Sequence, residues 1–246
     1  MFCVCFFVFL FRLQELYNCA WTKKDKFTAA PHVVDFIRRF NHVSFWVSRE
    51  ILQAEDCQLR ACLLSYFIKV AKQLKELNNF HGLQAVISSL LGAPIFRLTE
   101  TWALVKSRQI DQFDMLCSFV SAKNNHKSLR EHTKATKPPC IPNISIYLTD
   151  LVHLSTVVDG SNCDTKEETR LLIQDVVIRF QEKSKAAYSF AEDPDVQARF
   201  LSRIQSQTSS QTSQTSTSTS TSTSTSTLTS TSTSTATSTS TPTSTP

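Results

Sequence analysis

The side chains able to do chemistry in this chain are plentiful, but their spacing suits no familiar reaction. Histidines stand at positions 32, 42, 81, 126, 132 and 153. No two form the H-E-x-x-H pair that brings both imidazoles to one helix face around zinc. The eight cysteines include no C-x-x-C, and Cys3-x-Cys5 lacks the second ligand pair a metal needs. The phosphate loop G-x-x-x-x-G-K-[ST], the dinucleotide loop G-x-G-x-x-G and the nucleophile elbow G-x-S-x-G are missing from a chain whose three glycines are Gly82, Gly92 and Gly160. With no nucleophile and base to pair, covalent catalysis and nucleotide binding lose their usual supports, and neither cofactor nor metal is expected. A lone histidine such as His81 or His153 reads as a surface or internally satisfied residue. A helical interaction module fits these absences better than an enzyme of covalent chemistry.

The 246 residues carry a formal net charge of +5, all of it at or before Arg203. Clusters such as Lys23-Lys24-Asp25-Lys26 and Arg38-Arg39 read as solvated helix faces, so no nucleic-acid partner is expected. Cys62, Cys117 and Cys140 sit within apolar helical patterns, where a free thiol behaves as a small hydrophobe. No disulfide framework is implied, which favours a reducing, cytoplasmic setting. Residues 1–11 form an atypical apolar start, too short for the roughly twenty residues that span a bilayer. A signal-peptide core is the sharper alternative, but no positive charge precedes it and no cleavage site follows. The blander expectation is a domain whose true beginning lies upstream. Residues 205–246 are a Ser/Thr repeat with no apolar face, expected to be a disordered tail.

The elements that would position any site are helices. Pro31 opens one whose face carries Val34, Ile37, Arg38 and Asn41, continuing through Trp46 on its buried side. Leu59, Cys62, Leu63, Tyr66, Phe67, Val70, Ala71, Leu74 and Leu77 keep helical spacing and predict the central core helix. Asn78-Asn79 offers an N-cap for a helix with Leu83, Val86, Ile87, Leu90 and Leu91 on one face and Ser88 beside them. Gly92-Ala93-Pro94 ends it. Phe113, Leu116, Cys117 and Val120 mark another helix, and Asn124-Asn125-His126 a polar elbow. From Pro138 to Tyr188 the pattern is a helical hairpin. Its first arm bears Ile144, Tyr147, Leu148, Leu151 and Val152, and its second Leu172, Ile173, Val176, Val177 and Phe180. Asp159-Gly160 supplies the turn, Thr165 and Glu168 a capping box, and Pro138, Pro139 and Pro142 a stiff base. The fold class is all-α: one multi-helix domain with a projecting hairpin, over residues 12–204.

Several stretches stand in the order found in one known family. They are Phe40-Asn41-His42-Val43-Ser44-Phe45-Trp46, Leu77-Asn78-Asn79-Phe80-His81-Gly82-Leu83, and Ala93-Pro94-Ile95-Phe96-Arg97-Leu98 with Thr101-Trp102. Pro138-Pro139-Cys140-Ile141-Pro142 and Ile146-Tyr147-Leu148-Thr149-Asp150-Leu151 complete the set. The chain resembles the Ras-type guanine nucleotide exchange (Cdc25-homology) domain. Cys19-Ala20-Trp21-Thr22-Lys23-Lys24 and Arg38-Arg39-Phe40-Asn41 resemble most closely the Ral exchange factors that carry a PH domain and an SH3-binding motif.

The resemblance implies a bowl-shaped domain whose hairpin inserts beside the nucleotide of a small GTPase and lowers the barrier to GDP release. It does so by holding the nucleotide-free partner better than the loaded one. Matching positions for partner contact are Arg38 and Asn41 on the first surface helix, Ser88, Leu91 and Phe96 in the central groove, and Asn125, His126 and Arg130 at the elbow. Thr149, Val152 and Thr156 are the hairpin positions expected to face the GTPase switch. The family often has Asn or Gln where Leu91 stands. Its Ras-directed members carry a carboxylate where Thr156 stands, so a Ral-like partner is favoured over Rap or Ras. The second arm lacks the family's basic Asn-Phe-x-Lys-x-Arg stretch. The expected state is a monomer recruited to membranes through its partner, without inserting in them. A helical scaffold that binds a GTPase without exchange is the alternative.

Overall fold

The computed structural model describes residues 13–159, together with separate helical positions between Leu171 and Ser202. The chain divides into two units, Met1–Gln207 and Thr208–Pro246, and every described residue belongs to the first. The apolar start, the turn from Gly160, the Thr165 capping box, Leu172, Ile173, Val176 and Val177 of the second arm, and the Ser/Thr repeat lie outside the described residues.

A short helix α1 (Leu13–Leu16) runs into a 3-10 turn (Tyr17–Thr22) and helix α2 (Lys26–Ala29). The long helices α3 (Pro31–Leu52) and α4 (Cys57–Glu76) follow, then α5 (Phe80–Leu91). Short helices α6 (Ala93–Phe96) and α7 (Thr99–Ala103) lead to α8 (Ser107–Val120) and α9 (Lys123–Ala135). Helix α10 (Ile144–Asp159) is the first arm of the hairpin. Extended pairing among the described residues is limited to an isolated bridge between Asn79 and Ile141, so the all-α class holds. No helix among them is long and apolar enough to cross a membrane.

Local chemistry explains the helix starts. Pro31 occupies the first turn of α3, where its missing N–H costs nothing. The Asp56 side chain accepts the Leu59 N–H at 2.9 Å to cap α4, and Asn79 Oδ1 accepts the Gly82 N–H at 2.9 Å to cap α5. The corner between α4 and α5 also receives the proline-rich segment that leads to the hairpin. Ile141 donates its N–H to the Asn78 carbonyl at 2.9 Å, and its own carbonyl accepts from Phe80 at 2.9 Å.

The main core joins Val47 and Ile51 of α3, Leu64, Phe67, Ile68 and Ala71 of α4, Leu83, Val86, Ile87 and Leu90 of α5, and Phe113 and Leu116 of α8. Each fully buried Leu or Ile contributes roughly 1.5–3 kcal/mol of transfer free energy. The buried stripe of α4 corrects the sequence expectation. It runs through Ala61, Leu64, Phe67, Ile68, Ala71 and Leu74, while Leu59 and Tyr66 are more than half exposed and Cys62 is exposed. The helix is apolar on more than one face, so periodicity allows two stripes, and packing on α5 and α8 selects between them. Cys140 is buried as expected of a small hydrophobe, but it lies in the extended segment before α10, outside any helix.

A second cluster seats the hairpin. Ile144, Leu148 and Leu151 of α10 and Phe180 of the second arm pack with Leu16, Cys19, Ala20 and Trp21, and with Ala30, Val33, Val34 and Phe36 at the start of α3. Helix α3 therefore serves both clusters, its first turns facing the hairpin and its last turns the main core. Its 22 residues make this possible by extending over roughly 33 Å.

Candidate functional site

The sequence-derived positions fall in two groups. The first lies on α3, α5 and α6. Arg38 and Asn41 are exposed on α3, and Arg38 sits over the Phe27 ring at 4.7 Å while its Nη1 reaches Asp35 at 3.4 Å. One turn further along α3, Phe45 is 56% exposed. The Ser48 and Ser89 hydroxyls, 2.7 Å apart, pin α3 to α5 just beyond it. Ser88 is half-buried and accepts from Gln84 Nε2 at 3.1 Å. Leu91, expected on the apolar face of α5, turns outward, and Phe96 at the end of α6 is 65% exposed.

Phe96 is outward because its neighbours are fixed inward. Ile95 is fully buried, and the Trp102 indole N–H donates to the Ile95 carbonyl at 3.0 Å. Phe45 was not singled out by sequence reasoning. Its signal was present nonetheless, since it stands four residues after Asn41 on the same helix face. Beside it, burial lowers the His42 pKa, and the Arg39 and Arg38 charges lower it further. The face therefore takes its positive charge from arginine rather than from histidine.

The second group lies on α9 and α10. Asn124, Asn125 and His126 form the elbow as expected, with φ of 50°, 55° and 55°. Left-handed backbone costs roughly 1–2 kcal/mol per residue for ordinary side chains, and Asn tolerates it best. Arg130 supports the elbow: its Nε donates to the Asn125 carbonyl at 2.8 Å and its Nη2 to Asn125 Oδ1 at 3.0 Å. The same guanidinium forks onto Asp150 of α10, with both N–O distances at 2.7 Å. The Arg130 pKa is raised chiefly by this hydrogen bonding.

Thr149, Val152 and Thr156 are exposed on α10 at a spacing that gives one face. The threonine hydroxyls donate within the helix, Thr149 to the Ser145 carbonyl and Thr156 to the His153 carbonyl, each at 2.8 Å. Thr149, Val152 and Thr156 consequently offer methyl groups and no carboxylate, with the exposed His153 beside them. Beneath it, a cavity of about 630 Å³ opens between α9 and the hairpin, lined among others by Asn125, Arg130, Asn143, Tyr147 and Asp150. Tyr147 meets Phe180 edge-on at 5.1 Å, and burial first of all pushes its phenol pKa up to about 12.

His81 joins the region of both groups from inside and departs from its expected role. It is buried, stacked on Phe36 at 4.2 Å and tilted against Phe40 at 5.2 Å. Among the described residues neither ring nitrogen, nor Nδ2 of the buried Asn143, has a hydrogen-bond partner of ordinary geometry, although the Asn143 side chain lies beside the ring. It is therefore not the surface histidine that its isolation in the sequence allows. Burial lowers its pKa to about 3, with the adjacent Asn143 side chain acting in the opposite direction, so it is neutral at physiological pH. Among the described residues no group of three His, Cys, Asp or Glu side chains could hold a metal ion.

Comparison with known proteins assigns the arrangement to a family. The RasGEF domain matches residues 10–183. The chain is 43% identical over 195 residues to the Ras-specific guanine nucleotide-releasing factor RalGPS1 of Gallus gallus, covering 78% of this chain and 33% of that protein. It is 42% identical over 195 residues to RalGPS2 of Homo sapiens, again covering 78% of this chain and 33% of the relative. The Ras guanine nucleotide exchange factor B of Dictyostelium discoideum is 34% identical over 186 residues, 74% of this chain and 12% of its own length. The chain thus spans about a third, or less, of the length of these relatives. With more than half of its residues matched, and with the helical architecture described above, the chain belongs to the RasGEF domain family.

Proposed function

We propose that this chain promotes GDP release from a Ras-superfamily GTPase, with a Ral-like partner favoured over Rap or Ras. The α10 face with Thr149, Val152 and Thr156 addresses the GTPase switch, and Arg38, Asn41, Ser88, Leu91 and Phe96 hold the partner. Asn125 and His126 contact it from the elbow. The chain makes and breaks no bond; it stabilises the nucleotide-free partner over the loaded one, and that difference lowers the barrier to release. Residues 12–204 are the working unit, a cytoplasmic monomer brought to membranes by its partner.

The observation that carries this reading is the outward projection of Phe96, 65% exposed beside Leu91 at 47%, within a stretch that resembles the family's motif. Large apolar side chains held outward by a packed base are the usual anchors of a protein interface. Thr156 supports the preference for a Ral-like partner, because it supplies no carboxylate to compete for phosphate-binding groups.

The test uses the full chain at micromolar concentration with Ral, Rap and Ras loaded with fluorescent GDP. Accelerated release from Ral above the other two is expected. Unchanged release from all three overturns the exchange reading. Retention of nucleotide-free GTPase on the immobilised chain would then favour a scaffold, a reading supported by the internally satisfied threonine hydroxyls of α10.

A further inference from the structure

Arg130 hydrogen-bonds to two separate elements, the elbow and the hairpin. Its donors are divided between two elements: Nε and Nη2 hold the Asn125 carbonyl and side chain, while Nη1 and Nη2 fork onto the two Asp150 oxygens. Asn125 belongs to three successive left-handed residues, and Asp150 immediately follows Thr149 on α10. The guanidinium and its carboxylate both line the cavity between α9 and the hairpin, so their fork crosses a gap that side-chain packing leaves open. Both charges are partly shielded, at 32% and 25% side-chain exposure, where a fork is held better than on open surface.

We infer that Arg130 is a positioning residue: one planar guanidinium fixes the elbow and the hairpin in register, so that Asn125 and Thr149 present themselves to the same partner together. This rests on the exchange reading for the identity of the partner, but the coupling itself is a property of the isolated chain. Geometry makes arginine necessary. A lysine keeps the charge and can reach one of the two elements, but its point-like ammonium cannot form the fork on Asp150 and both Asn125 bonds at once. The hairpin's apolar seat then holds α10 by one side only, through Ile144, Leu148 and Leu151.

The test compares the wild-type chain with Arg130→Lys, Asp150→Ala and the double variant, first without any partner. Amide hydrogen exchange over residues 123–135 and 144–156 should accelerate about tenfold in each variant, while α4 keeps its protection. The double variant should be no worse than the worse single one, because the two residues act through a single interaction. Nucleotide release from the responsive GTPase should then show kcat reduced about tenfold with KM changed less than about threefold. Unchanged hydrogen exchange in 144–156 overturns the inference, whatever the chain does to a GTPase. A rise in KM alone, with kcat kept, also overturns it by making Arg130 a binding contact. Faster hydrogen exchange in a chain whose wild type releases no nucleotide leaves the clamp standing and removes the exchange reading instead.

Discussion

Glu15 Oε2 accepts the backbone N–H of His32 at 2.9 Å, seventeen residues along the chain. The same oxygen accepts the Val33 N–H at 3.1 Å, and the His32 Nδ1 lies against Glu15 Oε1. Helix α3 begins after Ala30, which has no side-chain acceptor, so a buried carboxylate from α1 does the work of an N-cap. It also complements the positive end of the helix dipole.

Glu15→Ala should therefore destabilise the domain by about 1–2 kcal/mol, the scale of a lost cap. Glu15→Gln keeps an acceptor and loses only the charge, a cost of about 0.3–1 kcal/mol. Chemical denaturation of both variants checks this. Equal losses would show that the hydrogen bonds to His32 and Val33 contribute nothing beyond the charge.

Phe96→Ala should separate binding from folding. With the ring 65% exposed, stability should stay within about 0.5 kcal/mol of wild type. Release of labelled GDP should fall at least about tenfold in kcat/KM if the ring is an interface anchor. Phe45→Ala should behave alike with a smaller loss. A Phe96→Ala chain that retains full release activity would remove Phe96 from the partner surface.

His81 makes stability depend on pH. Its folded pKa is lowered to about 3, below the ordinary histidine value of about 6.5, so the unfolded chain binds the extra proton first. The contribution is fully present above the unfolded pKa and is lost as pH falls from about 6.5 toward 3. The loss should approach about 1.4 kcal/mol per pH unit in the middle of that window. His81→Phe should remove close to one proton from the pH dependence measured by denaturant titrations between pH 6.5 and 4. An unchanged slope would mean that the imidazole gains a proton partner in solution.

Gly82 and Asn79 should fail together. A Cβ on Gly82 would meet the Asn79 amide at 3.0 Å, and that amide is the cap of α5. Asn79→Ala should cost about 1 kcal/mol. Gly82→Ala should cost a similar amount by displacing the cap, and the double variant should be far from additive. Thermal denaturation of the three variants checks this. Because Asn78 and Phe80 bond Ile141, the same variants should also loosen the base of the hairpin, visible as faster amide exchange at Ile141.

Features governed by neighbouring residues could be read along the chain. Pro31 and Asn79 announced helix starts, Gly92 an end, Asn124 to His126 a break, and the apolar spacing from Ile144 to Leu151 an arm, because each depends on dihedral preference or on periods of three and four residues. The ordered motifs from Phe40 to Leu151 pointed to the family to which the chain belongs. Tertiary structure alone decided which stripe of α4 is buried, since Leu59, more than half exposed, is as apolar as the Leu64 that won the core. It also decided that Leu16 to Trp21 seats an arm more than a hundred residues later, that Glu15 caps a helix it does not belong to, and that Arg130 joins Asn125 to Asp150. Burial and hydrogen bonding between distant segments depend on which surfaces meet, and one-dimensional periodicity carries no information about that meeting.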